Sequence, residues 1–170
     1  EIQIAGDLIV GEDGTNGLNA LSEEPSGSNF TVRIYPTGAA RAITGSFSGA
    51  LIRLNGSSRV TIDGSIGGSG TDRSLTIQNT SVTSPSVVLL GSTGTTPITN
   101  DTLKNCVIIN GINTSSAVVI SDAGTLGSAG FFSNITIQNN DVQKACVGVV
   151  ANVGTTTQNG SNLTYTQNTL

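Results

Sequence analysis

Apolar and polar residues alternate along much of this chain. Leu75 and Ile77, Ile135 and Ile137, and Leu163 and Tyr165 fall on one side of their segments, with Thr76, Gln78, Thr136, Gln138 and Thr164 on the other. A period of two is that of a half-buried β-strand, whose successive side chains point to opposite faces. The segments SLTIQNTSV (74–82), TLKNCVI (102–108), SNITIQNND (133–141) and SNLTYTQNT (161–169) read as copies of one strand unit. Their apolar positions Leu75, Ile77, Leu103, Ile135, Ile137, Leu163 and Tyr165 are the predicted core. A second, more continuously apolar strand type lies between them, as ALIRLN (50–55), VVLLG (87–91), AVVIS (117–121) and CVGVVAN (146–152).

The two strand types alternate in order. Their connections, such as GSTGTTPITN (91–100), SDAGTLGSAG (121–130) and GTTTQNGSN (154–162), are Gly/Ser/Thr/Asn loops too small for crossover helices. That excludes a doubly wound sheet and predicts an all-β parallel solenoid of about five to six irregular coils. Aligned on their apolar positions, the copies place Asn79, Asn105, Asn139 and Gln167 in one column, at offsets of 26, 34 and 28 residues. Stacked amides at a bend form a hydrogen-bonded ladder, so the column has a structural role without any ligand. The RVTIDG segment (59–64) precedes LTIQN by only 15 residues. Either it forms a separate side of a coil, or GSIGGSGTD (64–72) is an excursion within one side.

Residues 1–29 differ from the rest and read as an N-terminal cap with a first strand, ahead of a solenoid over 30–170. The stretch TNGLNALSEE (15–24) has two leucines three apart and stops before Pro25, a pattern that predicts a short helix over the first coil. FTVRIYP (30–36) and RAITGSF (41–47) then begin the sheets. The last unit carries Leu163 and Tyr165 with no polar cover after them. Either more protein follows, or another molecule covers that end, and both alternatives imply a partner surface.

The segments RLNGSSRVTIDGS (53–65), LTIQNTS, TLKNCVIING and NITIQNND resemble the right-handed parallel β-helix repeats of large secreted bacterial surface proteins, which share their architecture with pectate lyases and polygalacturonases. The resemblance covers residues 30 to 170 and implies a right-handed solenoid at the cell surface or outside the cell. It does not imply an activity, because this architecture carries lyases, hydrolases, adhesins and spacers alike.

Composition narrows the chemistry. Charged residues are 11%, aromatics 4%, and the chain has no His, Met or Trp. The seven Lys and Arg are scattered against a net charge of −4, which gives no basic stripe for nucleic acid. No apolar run approaches the length of a membrane span. The outward strand positions are mostly Thr, Gln, Ser and Asn, a face able to touch carbohydrate but without the aromatic platform that sugars favour.

A glycosidase needs two carboxyl groups on adjacent coils, and lyases of this architecture pair clustered carboxylates with a basic residue. The alignment puts Asp141 beside Ser81, Val107 and Thr169, Asp63 beside Gln78, Asp122 beside Ser92, and Lys104 between Gln78 and Gln138. Asp101 aligns with a core position and is assigned to a turn. No column holds two acids, so no catalytic residue and no cofactor is expected. Calcium has two faint motifs: Asp72 in GGSGTDRSL (67–75), and Glu12, Asp13 and Asn16 in EDGTNG (12–17). Cys106 and Cys146 fall in different columns and read as two small buried hydrophobes, with a disulfide the lesser alternative. Asn29, Asn113 and Asn134 begin Asn-x-Ser/Thr triplets, and Asp101-Thr102-Leu103 resembles an O-glycosylation acceptor. The function expected is that of a non-enzymatic extracellular rod or adhesive module able to associate end to end, with a polysaccharide lyase or hydrolase as the alternative.

Overall fold

The computed structural model describes residues 1–170 except 13–16, 21, 24 and 155–158, and describes Val10, Gly11 and Glu12 by backbone alone. Its strands follow the chain coil by coil. The first coil holds β1 (Ile2–Ile4), β2 (Leu8–Glu12) and β3 (Leu18–Asn19), and the second β4 (Val32–Pro36), β5 (Arg41–Gly45) and β6 (Ala50–Asn55). The third holds β7 (Val60–Asp63), β8 (Leu75–Asn79) and β9 (Ser86–Ser92). In the fourth, a broken side made of β10 (Ile98–Thr99) and β11 (Thr102–Lys104) precedes β12 (Cys106–Ile109) and β13 (Ser116–Asp122). The fifth has β14 (Phe132–Gln138), β15 (Asp141–Gln143) and β16 (Val147–Ala151), and β17 (Gly160–Thr166) opens a sixth.

Each strand pairs in parallel with its counterpart one coil away, which gives three sheets. Sheet A takes the first strand of every coil, sheet B the second and sheet C the third. The chain is therefore a parallel β-solenoid of about five coils, as the alternation of strand types predicts.

Apolar residues in matching positions stack into columns that make the core. On sheet A the column runs Ile34, Ile62, Leu103, Ile137 and Tyr165. On sheet B it runs Ile43, Ile77, Ile108 and Val142, and on sheet C Leu54, Leu90, Ile120 and Ala151. Leu75, Ile77, Leu103, Ile135 and Ile137 are fully buried. Leu163 and Tyr165 continue the inner columns of sheet A, yet they remain 40% and 45% exposed, because no further coil covers them. Their assignment to the core is corrected accordingly.

Two other expectations change. No helix forms over residues 15–24 among those described: Leu18–Asn19 is strand β3, paired with Leu54–Asn55. The backbone ladder of the next coil outweighs the weak helical spacing of two leucines. Residues 15, 16, 21 and 24 of that stretch lie outside the described residues. The first three strands also pair with the second coil, so residues 2–19 contribute a coil of the solenoid and not a separate cap.

The second change concerns register. LTIQN (75–79) belongs to sheet B, whereas the similar ITIQ (135–138) belongs to sheet A. RVTIDG supplies the true third-coil strand of sheet A, and residues 64–74 form an excursion between sheets A and B that contains one 3-10 turn, Ile66–Gly68. Gly64 has to be glycine there, because a Cβ would collide with the carbonyl of Asn105 in the next coil.

The outer face of sheet C also carries buried apolar residues. Ala50, Leu89 and Val119 form a small outer cluster with Ala123, which belongs to the 122–130 loop, and the Ala123 carbonyl accepts a 2.8 Å hydrogen bond from Arg53. This explains why the sheet C strands read as nearly continuous apolar runs: both of their faces are covered.

Truncating Ile137 to Ala, in the middle of the sheet A column, is expected to destabilise the fold by about 3–4 kcal/mol in urea unfolding. The outward Thr136→Ala should cost under about 1 kcal/mol.

Candidate functional site

A solenoid strand ends at a corner, where the backbone turns and its polar groups lose their ladder partners. Three sets of side-chain amides serve this need here. Asn105, Asn139 and Gln167 stack at the corner between sheets A and B, all with left-handed φ of 59°, 50° and 58°. Asn tolerates this region better than most residues. Asn139 Nδ2 donates to Asn105 Oδ1 at 2.8 Å, and Asn105 Nδ2 donates to Asp63 Oδ1 at 2.7 Å. The continuation to Gln167 runs through Gln138, whose Nε2 meets Gln167 Oε1 at 3.2 Å.

Asn79 is not in this column. It closes the opposite corner, between sheets B and C, where the two N–H groups of its Nδ2 are shared among the carbonyls of Phe47, Gly49 and Ser86 at 2.9, 2.9 and 2.7 Å. Asn110 occupies the same corner one coil on, donating to Ile112 O at 3.0 Å and Ser115 Oγ at 2.9 Å.

A third set escaped the sequence reading. Asn140 is fully buried, accepts the Cys106 amide at 3.0 Å and donates to Leu103 O at 3.0 Å. Asn168 accepts from the Asn140 amide N–H at 2.9 Å and donates to Ile137 O at 2.9 Å. The only trace in the sequence is the polar doublet at the last two A–B corners, Asn139-Asn140 and Gln167-Asn168, whose second member turns inward.

Asp63, Asp72, Arg73 and Lys104 lie around the same A–B corner. Asp63 points outward from β7, yet the 64–74 excursion covers it completely. Lys104 is its register neighbour, and Lys104 Nζ lies 3.0 Å from Asp63 Oδ2, so the expected lack of an aligned acid beside Lys104 is corrected. The Asp63 Oδ1 atom accepts from Ser65 N at 3.0 Å and Ser65 Oγ at 2.8 Å, besides Asn105. Burial pushes the Asp63 carboxyl up, but donors from Asn105, Ser65 and Lys104 outweigh it and hold the group below the ordinary aspartate range.

Arg73, at the end of the excursion, spans several coils: it donates to Asn139 O at 2.9 Å and Asn139 Oδ1 at 3.0 Å. The excursion is thus fastened along the ladder. Asp72 takes the Ser74 hydroxyl at 2.7 Å and the Ile66 amide at 3.1 Å, which hold its carboxyl below the usual range and close the excursion on itself. Of the other calcium candidates, Asp13 and Asn16 lie outside the described residues, as does the side chain of Glu12. Among the described residues no three metal-ligating side chains come together.

Asp101 occupies the core column of sheet A rather than a turn. It sits between Val60 and Ile135 where the strand is broken, and its Oδ1 accepts the Val60 amide at 2.9 Å in place of a backbone carbonyl. The carboxyl is fully buried and Oδ2 has no hydrogen-bond partner. Burial pushes the group up to about 7, against the smaller opposing pull of the Val60 N–H and the Arg59 charge.

The remaining predicted neighbours divide. Asp141 pairs with Val107 and Thr169 as expected, but with Thr76 rather than Ser81 one coil further back. Asp122 lies beside Ser92, and its carboxylate caps the amides of Gly124 and Thr125 at 2.8 and 3.3 Å. Cys106 is buried, which pushes its thiol up, whereas Cys146 is exposed at the turn into β16. Both are free thiols. Asn29, Asn113 and Asn134 are all exposed.

The end of the solenoid is the other chemically distinct region. A cavity of about 260 Å³ opens there between β16 and β17, walled by Val147, Val149, Ala151, Leu163, Tyr165 and Leu170. Comparison with protein-family models, with curated proteins and with solved structures finds no match for this chain.

Two measurements address the corner. Between pH of about 4 and about 7 the folded chain holds a proton on Asp101 that the unfolded chain has lost, so stability should fall as pH rises through this window, by roughly 3–4 kcal/mol. Asp63 acts in the opposite direction: its contribution is present above the ordinary aspartate pKa and is lost as pH falls through its lowered value. Melting temperatures over this range should decline for the wild type and stay flat for Asp101→Asn. Asn105→Ala removes Asp63's amide donor and puts a residue without asparagine's tolerance of left-handed φ at 59°, an expected loss of about 3 kcal/mol in urea unfolding. Asn105→Gly should recover about 1 kcal/mol of that.

Proposed function

We propose that this chain is a non-enzymatic structural or adhesive β-helix module, acting outside the cell or at its surface as a rigid rod or self-associating filament subunit. The observation that carries the reading is the use made of its polar groups. The acidic and basic side chains with the most distinctive environments serve the coil: Asp63 and Lys104 neutralise each other beneath a covering loop, Arg73 fastens that loop, and Asp101 completes a backbone ladder. Each is engaged in holding one turn on the next, which is the mechanism of a rod. The low-charge Thr/Asn/Gln exterior and the resemblance to secreted surface proteins support an extracellular site.

Both ends present apolar side chains, with Ile2 and Leu8 at one and Val147 and Leu170 at the other. A surface of this kind favours end-to-end association, or further domains of the same polypeptide. The hydrogen-bonding outer face could serve as a carbohydrate contact. The reading needs no cofactor.

The test is incubation with acidic polysaccharides, followed by assays for unsaturated uronates and for new reducing ends. Neither should exceed the rate of heat-denatured protein. Release of either product, abolished by Lys104→Ala, would establish the polysaccharide lyase or hydrolase reading instead.

A further inference from the structure

The flank of the solenoid carries a groove, on the outer face of sheet C. The 122–130 loop folds back over this face: Ala123 N donates to Ser92 O at 2.7 Å, and Gly91 lacks the Cβ that would collide with Ala123. The seated loop leaves a cavity on each side, one of about 470 Å³ towards the C–A corner and one of about 270 Å³ towards the B–C corner. Arg53, Ala123 and Gly124 line both, so the two niches adjoin at Arg53.

The polar groups at this junction are incompletely matched. Arg53 is half-buried on β6; Nη2 donates to Ala123 O at 2.8 Å, and Nε is buried with no partner. Asn55 gives its Nδ2 to Asn19 Oδ1 at 3.2 Å, whereas its own Oδ1 is buried and accepts nothing. A guanidinium has five N–H donors in a planar fork, and its strongest partner is an anion. The chain carries a net charge of −4, yet residues 25–62 hold Arg33, Arg41, Arg53 and Arg59 with no acid, and residues 74–100 hold no charged residue. Among the described residues Arg33 and Arg59 pair with Glu1 and Glu23, and Arg53 pairs with no carboxylate. Asp122, the one acid of the covering loop, directs Oδ1 to the amides of Gly124 and Thr125. Charge at the groove therefore favours a negative ligand group.

The two niches differ in character. Asn19, Asn55, Thr93 and Thr96 surround the larger one, whereas Phe47, Leu89, Ala123 and Leu126 wall the smaller. A carboxylate on Arg53 thus has a hydrogen-bonding niche on one side and an apolar niche on the other. The last residue of a peptide carries a carboxylate, an amide N–H and a side chain on one Cα, so an aliphatic one meets all three requirements. A uronate leaves the apolar niche empty, because hydroxyl groups surround its ring.

We propose that this groove binds the C-terminus of a peptide ending in a large aliphatic residue, with the carboxylate on Arg53, the amide N–H on Asn55 Oδ1 and the side chain between Phe47 and Leu126. The inference rests on the adhesive reading above and gives it a ligand class.

Titration of nitrogen-15-labelled protein with the peptide acetyl-Asn-Thr-Leu as its free acid should give saturable amide shifts at residues 47–55 and 122–126. The same peptide with an amidated C-terminus, and acetyl-Asn-Thr-Gly as the free acid, should each bind at least about 10-fold more weakly. Arg53→Met should weaken the free-acid peptide by a similar factor, as should Leu126→Ser at an exposed position. The peptide comparisons leave the protein unaltered, so they decide the matter even if Arg53→Met folds poorly. Equal binding of acid and amide, or of the Leu and Gly peptides, overturns the proposal. Trigalacturonate binding more tightly than the Leu peptide overturns it in favour of an acidic-sugar site, and no shift with any probe at millimolar concentration overturns it outright. The non-enzymatic reading is decided separately: trigalacturonate left intact while the peptide fails to bind sinks this inference alone.

Discussion

The structure depends on the parallel hydrogen-bond ladder between successive coils. A ladder bond is satisfied only while the strand runs straight, and a solenoid must turn its chain three times per coil. Every turn strands backbone donors and acceptors beside an apolar core, where an unpaired group costs on the order of 1–3 kcal/mol. Buried Asn side chains meet that demand. Asn79 alone takes three carbonyls at its corner, and Asn140 joins the Cys106 amide to the Leu103 carbonyl. The amide is short, uncharged, and both donor and acceptor, so it can bridge coils without the desolvation cost of an ion.

The same constraint explains the ionisable groups that do enter. Asp101 stands in the core column where its strand is broken, and its carboxyl oxygen replaces a missing carbonyl for Val60. Asp63 is tolerated in a covered site because Ser65, Asn105 and Lys104 surround it. These two carboxyls respond in opposite directions to the same burial: donors dominate at Asp63, and desolvation dominates at Asp101. Stability and pH response are thus coupled to the continuity of the ladders rather than to any separate site.

Continuity has a further consequence at the two ends. A solenoid has no intrinsic length, since each coil is satisfied only by the next. Ile2 and Leu8 in the first coil, and Val147, Tyr165 and Leu170 in the last strands, are the exposed members of inward columns.

The sequence by itself determined the fold class, most of the strand segments and most of the core, because period-two alternation and the side-chain preference for Asn at corners are local properties. Leu75, Ile77, Leu103, Ile135 and Ile137 could be assigned to the interior without knowing their neighbours. Only the tertiary structure decided which strand lies on which. LTIQN and ITIQ are nearly identical, yet they occupy different sheets, because the 64–74 excursion between β7 and β8 shifts the register by more than local pattern can reveal. That shift separated Asn79 from Asn105 and brought Lys104 onto Asp63. The exposure of Leu163 and Tyr165 has a separate cause, since burial is a property of the neighbouring coil and not of the residue. Alternation fixes which way a side chain points; only the stacking of whole coils fixes what it meets.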